Sequence, residues 1–245
     1  MTFPTDGRNH HSGINTEKFI VEYQNNNSNN TINNQIKKDC NTNKLQWLHK
    51  GGTHVKEDSI ILFDDKSIGV SIKNHKTGTF DWINSTKFIP QEIKNIVNNF
   101  KDKYKGQDVT RSIRNEFNNL INNYFETINT DLINKLLTYI YDNYPAYILI
   151  RKCSKNQLIL LDKVNLKKRF SCDNKFILKK KRAKVSRQIW LVCEDGTEIN
   201  TNLRFRITLN NGLNKLLDDN KISVPTIKIQ QDNVDKFISE CDKVI

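Results

Sequence analysis

The stretch Val55-Lys56-Glu57-Asp58-Ser59-Ile60-Ile61-Leu62-Phe63-Asp64-Asp65-Lys66-Ser67-Ile68-Gly69-Val70-Ser71-Ile72-Lys73 decides the fold. Val55 to Phe63 is rich in β-branched and apolar residues, Asp64-Asp65-Lys66 reads as a tight turn, and Ser67 to Lys73 is a second strand. The two strands form a hairpin. A period of two puts Asp58, Ile60 and Leu62 on one face of the first strand. On the second strand Ser71 and Lys73 share a face, while Val70 and Ile72 point the other way. An acid and a lysine therefore meet across neighbouring strands, with Glu57 next to Asp58.

That meeting has two readings. The plain one is a cross-strand ion pair, worth under about 1 kcal/mol if exposed. The chemical one is hydrolysis of a phosphodiester, which needs a cation to neutralise developing charge and to lower the pKa of a water. Magnesium takes oxygen ligands and keeps several waters. Asp58 offers a carboxylate, the backbone carbonyl of Ile72 offers a second oxygen, and Lys73 offers an ammonium to position the water. Those three groups make a minimal nuclease site.

Charge supports a polyanionic partner. The chain has 245 residues, a formal net charge of +12, and 39 Lys and Arg against 27 Asp and Glu. Fourteen of those cations lie between Arg151 and Arg187, where the only acids are Asp162 and Asp173; the rest of the chain is electrically balanced. Lys167, Lys168 and Arg169, then Lys179, Lys180, Lys181, Arg182 and Lys184, are the densest groups, with Arg187 closing the block. The heavy use of Asn, most visible in Asn25 to Asn34, matches AT-rich codon usage. Codon usage would spread lysine evenly, so it does not explain a segregated block. Phosphate contacts make nucleic acid the expected partner, and Gln230 and Gln231 can read adenine edges bidentately.

Mean hydropathy is −0.66. No stretch reaches the ~18 apolar residues of a membrane span. The start, Met1 to Gly13, lacks a signal-type apolar core, and no membrane partner is expected. The expectation is an intracellular protein, cytoplasmic or, for a viral protein, in the host cell or virion. The five cysteines are widely spaced with no C-x-x-C pair, which argues against a disulfide framework and a structural zinc.

Working outward, Leu45 to His49 reads as a strand ahead of the Gly51–Gly52 turn. Upstream, Thr16 to Gln24 and Gln35 to Cys40 read as short helices, with Asn25 to Asn34 as a polar loop or helix extension. Downstream, Gln91 to Tyr104, Asp108 to Ile128 and Asp131 to Tyr144 carry apolar residues at helical spacing, and Pro145 ends the run. Short strands follow at Tyr147 to Arg151, Gln157 to Leu161, Phe176 to Leu178, Gln188 to Cys193, Asn202 to Leu209 and Thr226 to Ile229. Short helices are expected around Leu213 to Leu217 and Val234 to Ile238. The order points to a mixed α/β (α+β) fold. The expected organisation is a core with a helical segment over residues 1–145 and a basic β-rich region over 146–245, packed into the same domain.

Asp58 followed by Ser71-Ile72-Lys73 on the adjacent strand resembles the core of PD-(D/E)XK nucleases, in the manner of type II restriction endonucleases. The turn at Gly51-Gly52-Thr53, the run Ile68 to Lys73, the segment Gly78-Thr79-Phe80-Asp81-Trp82-Ile83-Asn84 and the late Ile227 to Asp232 share that resemblance. It implies a restriction-endonuclease-like central mixed sheet flanked by helices, with additional C-terminal strands. It also implies Mg2+ dependence, cleavage of double-stranded DNA and a homodimer that supplies two active sites. An early helix in such enzymes often brings a further glutamate; Glu17 is the candidate and Glu22 its alternative. Glu57 stands where the pattern has proline, and Ser71 stands where it has the second acid. Asp81 or Glu17 then completes the acidic set. The rival reading is a nucleic-acid-binding protein that keeps this fold without its chemistry, and a third is an RNA-processing or repair nuclease. His49, His54 and His75 flank the site as phosphate contacts, acid/base groups or plain surface residues.

Overall fold

The computed structural model describes residues 9–50, 57–75, 78–128, 130–152, 157–163, 175–180, 185–218 and 221–241. In chain order the elements are α1 (Asn9–Asn26), α2 (Thr31–Cys40), β1 (Gln46–His49), β2 (Ser59–Phe63), β3 (Lys66–His75), β4 (Phe80–Ser85), α3 (Gln91–Tyr104), α4 (Arg111–Thr127) and α5 (Thr130–Asn143). They continue with β5 (Tyr147–Lys152), β6 (Gln157–Asp162), β7 (Lys175–Lys180), β8 (Ser186–Val192), β9 (Glu198–Leu209), α6 (Leu213–Leu216), β10 (Pro225–Gln231) and α7 (Val234–Ser239). The fold is mixed α/β with two five-stranded sheets, β1-β2-β3-β5-β6 and β4-β10-β9-β8-β7. Among the described residues no helix is long and apolar enough to cross a membrane.

The chain forms two compact units that are interleaved in sequence. The first contains residues 1–80, 141–169 and 234–245, and the second 81–140 and 170–233. A single boundary near residue 145 therefore does not separate them. β5 and β6 complete the first sheet, because β5 pairs in parallel with β3, while α3, α4 and residues 81–85 of β4 belong to the second unit. Short apolar runs such as Tyr147 to Arg151 announce a strand but not its partner.

In the first unit the expected hairpin forms. β2 and β3 pair antiparallel from Ser59 opposite Val70 to Phe63 opposite Lys66. Asp64 turns the corner at φ 49°, a left-handed conformation that Asp tolerates. β3 is twice as long as β2, and its second half pairs in parallel with Tyr147–Lys152 of β5. Ile20, Ile36, Trp47, Ile61, Val70, Ile72 and Leu149 form one buried cluster, so Ile72 lies on the face that α1 and α2 cover.

The asparagine-rich stretch does structural work that composition conceals. α1 runs to Asn26 and α2 starts at Thr31, both longer than expected. Asn25 pairs with the Trp47 backbone in both directions, donating to its carbonyl at 2.9 Å and accepting from its amide at 2.8 Å. Asn30 caps α2 by accepting from the Asn33 amide at 2.8 Å. Asn33, fully buried, donates to the Gln24 carbonyl and accepts from the Trp47 indole N–H, each at 2.8 Å. These amides substitute for a ladder that β1 lacks on that side and fix α1 against the sheet.

In the second unit α3 spans the residues expected from its periodicity, and α4 is capped by Thr110. β7 to β10 pair antiparallel. Phe125 of α4 packs edge-on against Phe205 of β9, so α4 covers one face of that sheet. Sequence reading missed β4, whose six residues mix Phe80, Trp82 and Ile83 with Asp81 and Asn84 and carry no flanking hairpin signal.

Gly69, opposite Ile60 in the hairpin, has no room for a side chain. A Cβ there would stand 2.5 Å from Glu57 Cγ and 2.9 Å from Pro145 Cβ. The glutamate can swing away, but the proline ring is tied to its backbone. Gly69→Ala should destabilise the protein by about 1–3 kcal/mol, read as a fall in the thermal midpoint; an unchanged midpoint contradicts this packing.

Candidate active site

The unequal lengths of β2 and β3 create the site. β2 pairing ends at Ser59 opposite Val70, so Ser71 to His75 have lost their neighbour on that edge. Asp58, just before β2, fills the gap. Its amide donates to the Val70 carbonyl at 3.0 Å and its carbonyl accepts from the Lys50 amide at 3.1 Å, which pins its backbone on both sides. Its carboxylate Oδ2 then accepts from the Ser71 hydroxyl at 3.0 Å and from the Ile72 amide at 2.5 Å. The side chain thus replaces the missing strand.

This arrangement also orients the Ile72 carbonyl. In a strand the N–H and C=O of one residue face the same edge, which is why antiparallel partners exchange both bonds. The Ile72 amide faces Asp58, so its carbonyl faces the same open edge. Ser71 and Lys73, two residues apart, share the opposite sheet face from Ile72. Ser71 is completely buried and serves as a donor to Asp58. It holds the carboxylate rather than standing in for one.

Glu17 arrives from α1. Its Oε2 lies 3.1 Å from Nε2 of His49, the last residue of β1, and its side chain is 16% exposed. Burial, and then the charge of Asp58, push the Glu17 carboxyl above the ordinary glutamate range; the His49 bond and the charges of His49 and Lys73 offset this only in part. Glu22, the alternative, is exposed, because five residues along a helix carry it well round from Glu17.

Lys73 lies among Tyr144, Asp58 and Glu17. Its Nζ is 5.3 Å from the Tyr144 ring centroid. Burial works to lower the pKa of its ammonium, but Tyr144, Asp58 and Glu17 outweigh it and hold the group above the ordinary lysine range. Its place among these groups suits Lys73 to orienting a water or a phosphate oxygen.

The chemistry of this donor set suits a hard divalent cation. Glu17 and Asp58 repel one another. Among the described residues, nothing is bonded to Asp58 Oδ1 or Glu17 Oε1. No group of three or more His, Cys, Asp or Glu side chains among the described residues makes a metal cage by itself. An ion held by two carboxylates and a carbonyl, completed by water and phosphate, is the usual magnesium arrangement.

Other expected residues are placed elsewhere. Asp81, on β4 in the second unit, is bonded by Lys228 Nζ at 3.1 Å and Gln230 Nε2 at 3.2 Å. That contact also engages Gln230, while Gln231 is buried and accepts from the Trp82 indole. Neither glutamine is presented as a free base-reading group.

The basic block is not one exposed surface. Arg187 is buried and pairs with Glu126 at 2.7 Å, and Arg151 and Lys152 are buried too. Lys179 bonds Glu198 and lies over the Trp190 ring, and Lys180 is exposed. Lys167, Lys168, Arg169, Lys181, Arg182 and Lys184 lie outside the described residues, as do His54 and the Gly51-Gly52-Thr53 turn. Alternation could have flagged Arg187, since it sits on the same strand face as Ile189.

No protein-family model matches the chain, and no curated protein matches it. Among solved structures, HhaI endonuclease in complex with DNA is similar, at 12% identity over 91% of this chain and 96% of that one, with a TM-score of 0.34. At that score the likeness carries no argument about activity.

An acid whose pKa rises on folding costs stability above that pKa and nothing below its unfolded value, about 4.3 for glutamate. Glu17→Gln removes that cost. The thermal midpoint should rise by a few degrees at most near pH 7, and the gain should vanish as the pH falls to about 4. A lower midpoint at neutral pH contradicts the repulsion between Glu17 and Asp58.

Proposed function

We propose that this protein is a magnesium-dependent endonuclease that hydrolyses phosphodiester bonds of double-stranded DNA, of the type II restriction kind. The observation that carries the reading is the Asp58 carboxylate, bonded to Ser71 and Ile72 at the start of the strand segment that presents Lys73, with Glu17 in electrostatic reach of both. The excess of cations in the sequence supports a polyanionic substrate. Cutting both strands of a duplex calls for two such sites, which a homodimer supplies.

Asp58, Glu17 and the Ile72 carbonyl would hold the cation. A bound divalent ion supplies neutralisation of the phosphate charge and a water of lowered pKa. The protein groups do the rest. Ser71 and the Ile72 amide keep the Asp58 carboxylate in one orientation. His49 does the same for Glu17 from β1. The Lys73 ammonium binds the attacking water or a non-bridging phosphate oxygen and stabilises the charge that grows there.

A second reading, nucleic-acid binding without cleavage, draws on Ser71, which leaves the site with two carboxylates. Supercoiled plasmid incubated with Mg2+ separates the two. The wild type should nick or linearise it, and chelation should stop the reaction. Lys73→Ala should lower the rate by about 10²–10³-fold while duplex binding persists. A wild type that binds DNA and never cuts it with any divalent cation removes the nuclease reading; preferential cutting of RNA reassigns the substrate.

A further inference from the structure

The function proposed above gives Lys73 a task that demands a fixed position, yet lysine carries its charge on a flexible four-carbon stem. What restrains it is a residue that sequence reading passed over. Tyr144 is 4% exposed and sits in the three-residue link between the end of α5 at Asn143 and the start of β5 at Tyr147. β5 pairs in parallel with β3 from Val70 opposite Tyr147, so the link meets β3 at its Gly69 end, and the Tyr144 side chain reaches from there to the Lys73 ammonium.

We propose that Tyr144 is a positioning residue of the active site: its hydroxyl accepts a hydrogen bond from the Lys73 ammonium and selects the conformation in which that charge meets the substrate. The observed contact is with the ring: Nζ stands 5.3 Å from its centroid, and the phenol oxygen is the acceptor that ring carries. Each group meets the other's need. A buried phenol requires a polar partner, and a lysine close to a protein wall requires an oxygen for its ammonium. The ring attraction alone is broad in direction; the hydroxyl bond is not.

The support for Tyr144 runs back into the hairpin. Pro145 follows it, and Gly69 of β3 lacks the Cβ that would stand 2.9 Å from Pro145 Cβ. That close approach lets the α5–β5 link lie against β3. Asp58 and Tyr144 thus hold the lysine segment from two sides, one through the backbone of Ile72 and the other through the ammonium.

This inference rests on Lys73 acting in cleavage, and the test keeps the two claims apart. Tyr144→Phe retains the ring and the packing and removes only the oxygen. With the plasmid assay, kcat should fall roughly 10–100-fold, the strength of one hydrogen bond to a charged group. KM and the thermal midpoint should stay close to wild type. In parallel, the 1H–15N signal of the Lys73 ammonium, assigned by its loss in Lys73→Met, should be sharp in the wild type and broadened in Tyr144→Phe. An unchanged kcat in Tyr144→Phe, or activity lost only in proportion to unfolding, overturns the proposal. If the wild type cleaves no nucleic acid, the nuclease reading fails and the ammonium signal alone decides: broadening in Tyr144→Phe upholds the contact, and identical signals in both proteins overturn it.

Discussion

One carboxylate oxygen joins the first unit's architecture to its chemistry. Asp58 Oδ2 accepts from the Ser71 hydroxyl and from the Ile72 amide, and so closes the edge of β3 where β2 has run out. A backbone amide facing an empty edge would otherwise need water or a ligand. By answering that need, the same bond fixes the carboxylate on the edge that the Ile72 carbonyl also faces. The strand mismatch is therefore the origin of the site, since two strands of equal length would have buried every one of these groups in an ordinary ladder.

Glu17 shows the cost of such an arrangement. It stands on α1, and α1 is held against β1 by amide side chains, chiefly Asn25 and Asn33. His49 at the end of β1 then grips the carboxylate. That scaffold holds a second acid within electrostatic reach of Asp58 although the two repel. A group held against its own electrostatic preference in a partly buried place is what a functional site looks like in physical terms, and a divalent cation is the chemistry that would relieve it.

Much of this was legible in the residues. The hairpin of β2 and β3 follows from alternation and the Asp64–Asp65 turn, and three helices follow from apolar spacing. Asp58, Ile72 and Lys73 could be grouped from strand periodicity, and Glu17 from a family resemblance. The rest depended on long-range placement, which periodicity does not encode. Ser71 read as a missing acid and is a donor to Asp58. Asn25 to Asn34 read as composition and is a hydrogen-bonded joint. Arg187 read as a phosphate contact and is buried against Glu126. Tyr144 lay at the end of a helical pattern, and only the folded chain shows its ring 5.3 Å from the Lys73 ammonium.

The claim on which all of this turns is that Asp58 and Glu17 together seat one divalent cation. Titration of Mn2+ followed by electron paramagnetic resonance measures this directly, in the wild type, in Asp58→Asn and in Glu17→Gln. The account predicts one bound ion per chain, with affinity lowered at least tenfold in each variant, a change of about 1.4 kcal/mol. Equal binding in all three proteins, or no binding in the wild type, would contradict it.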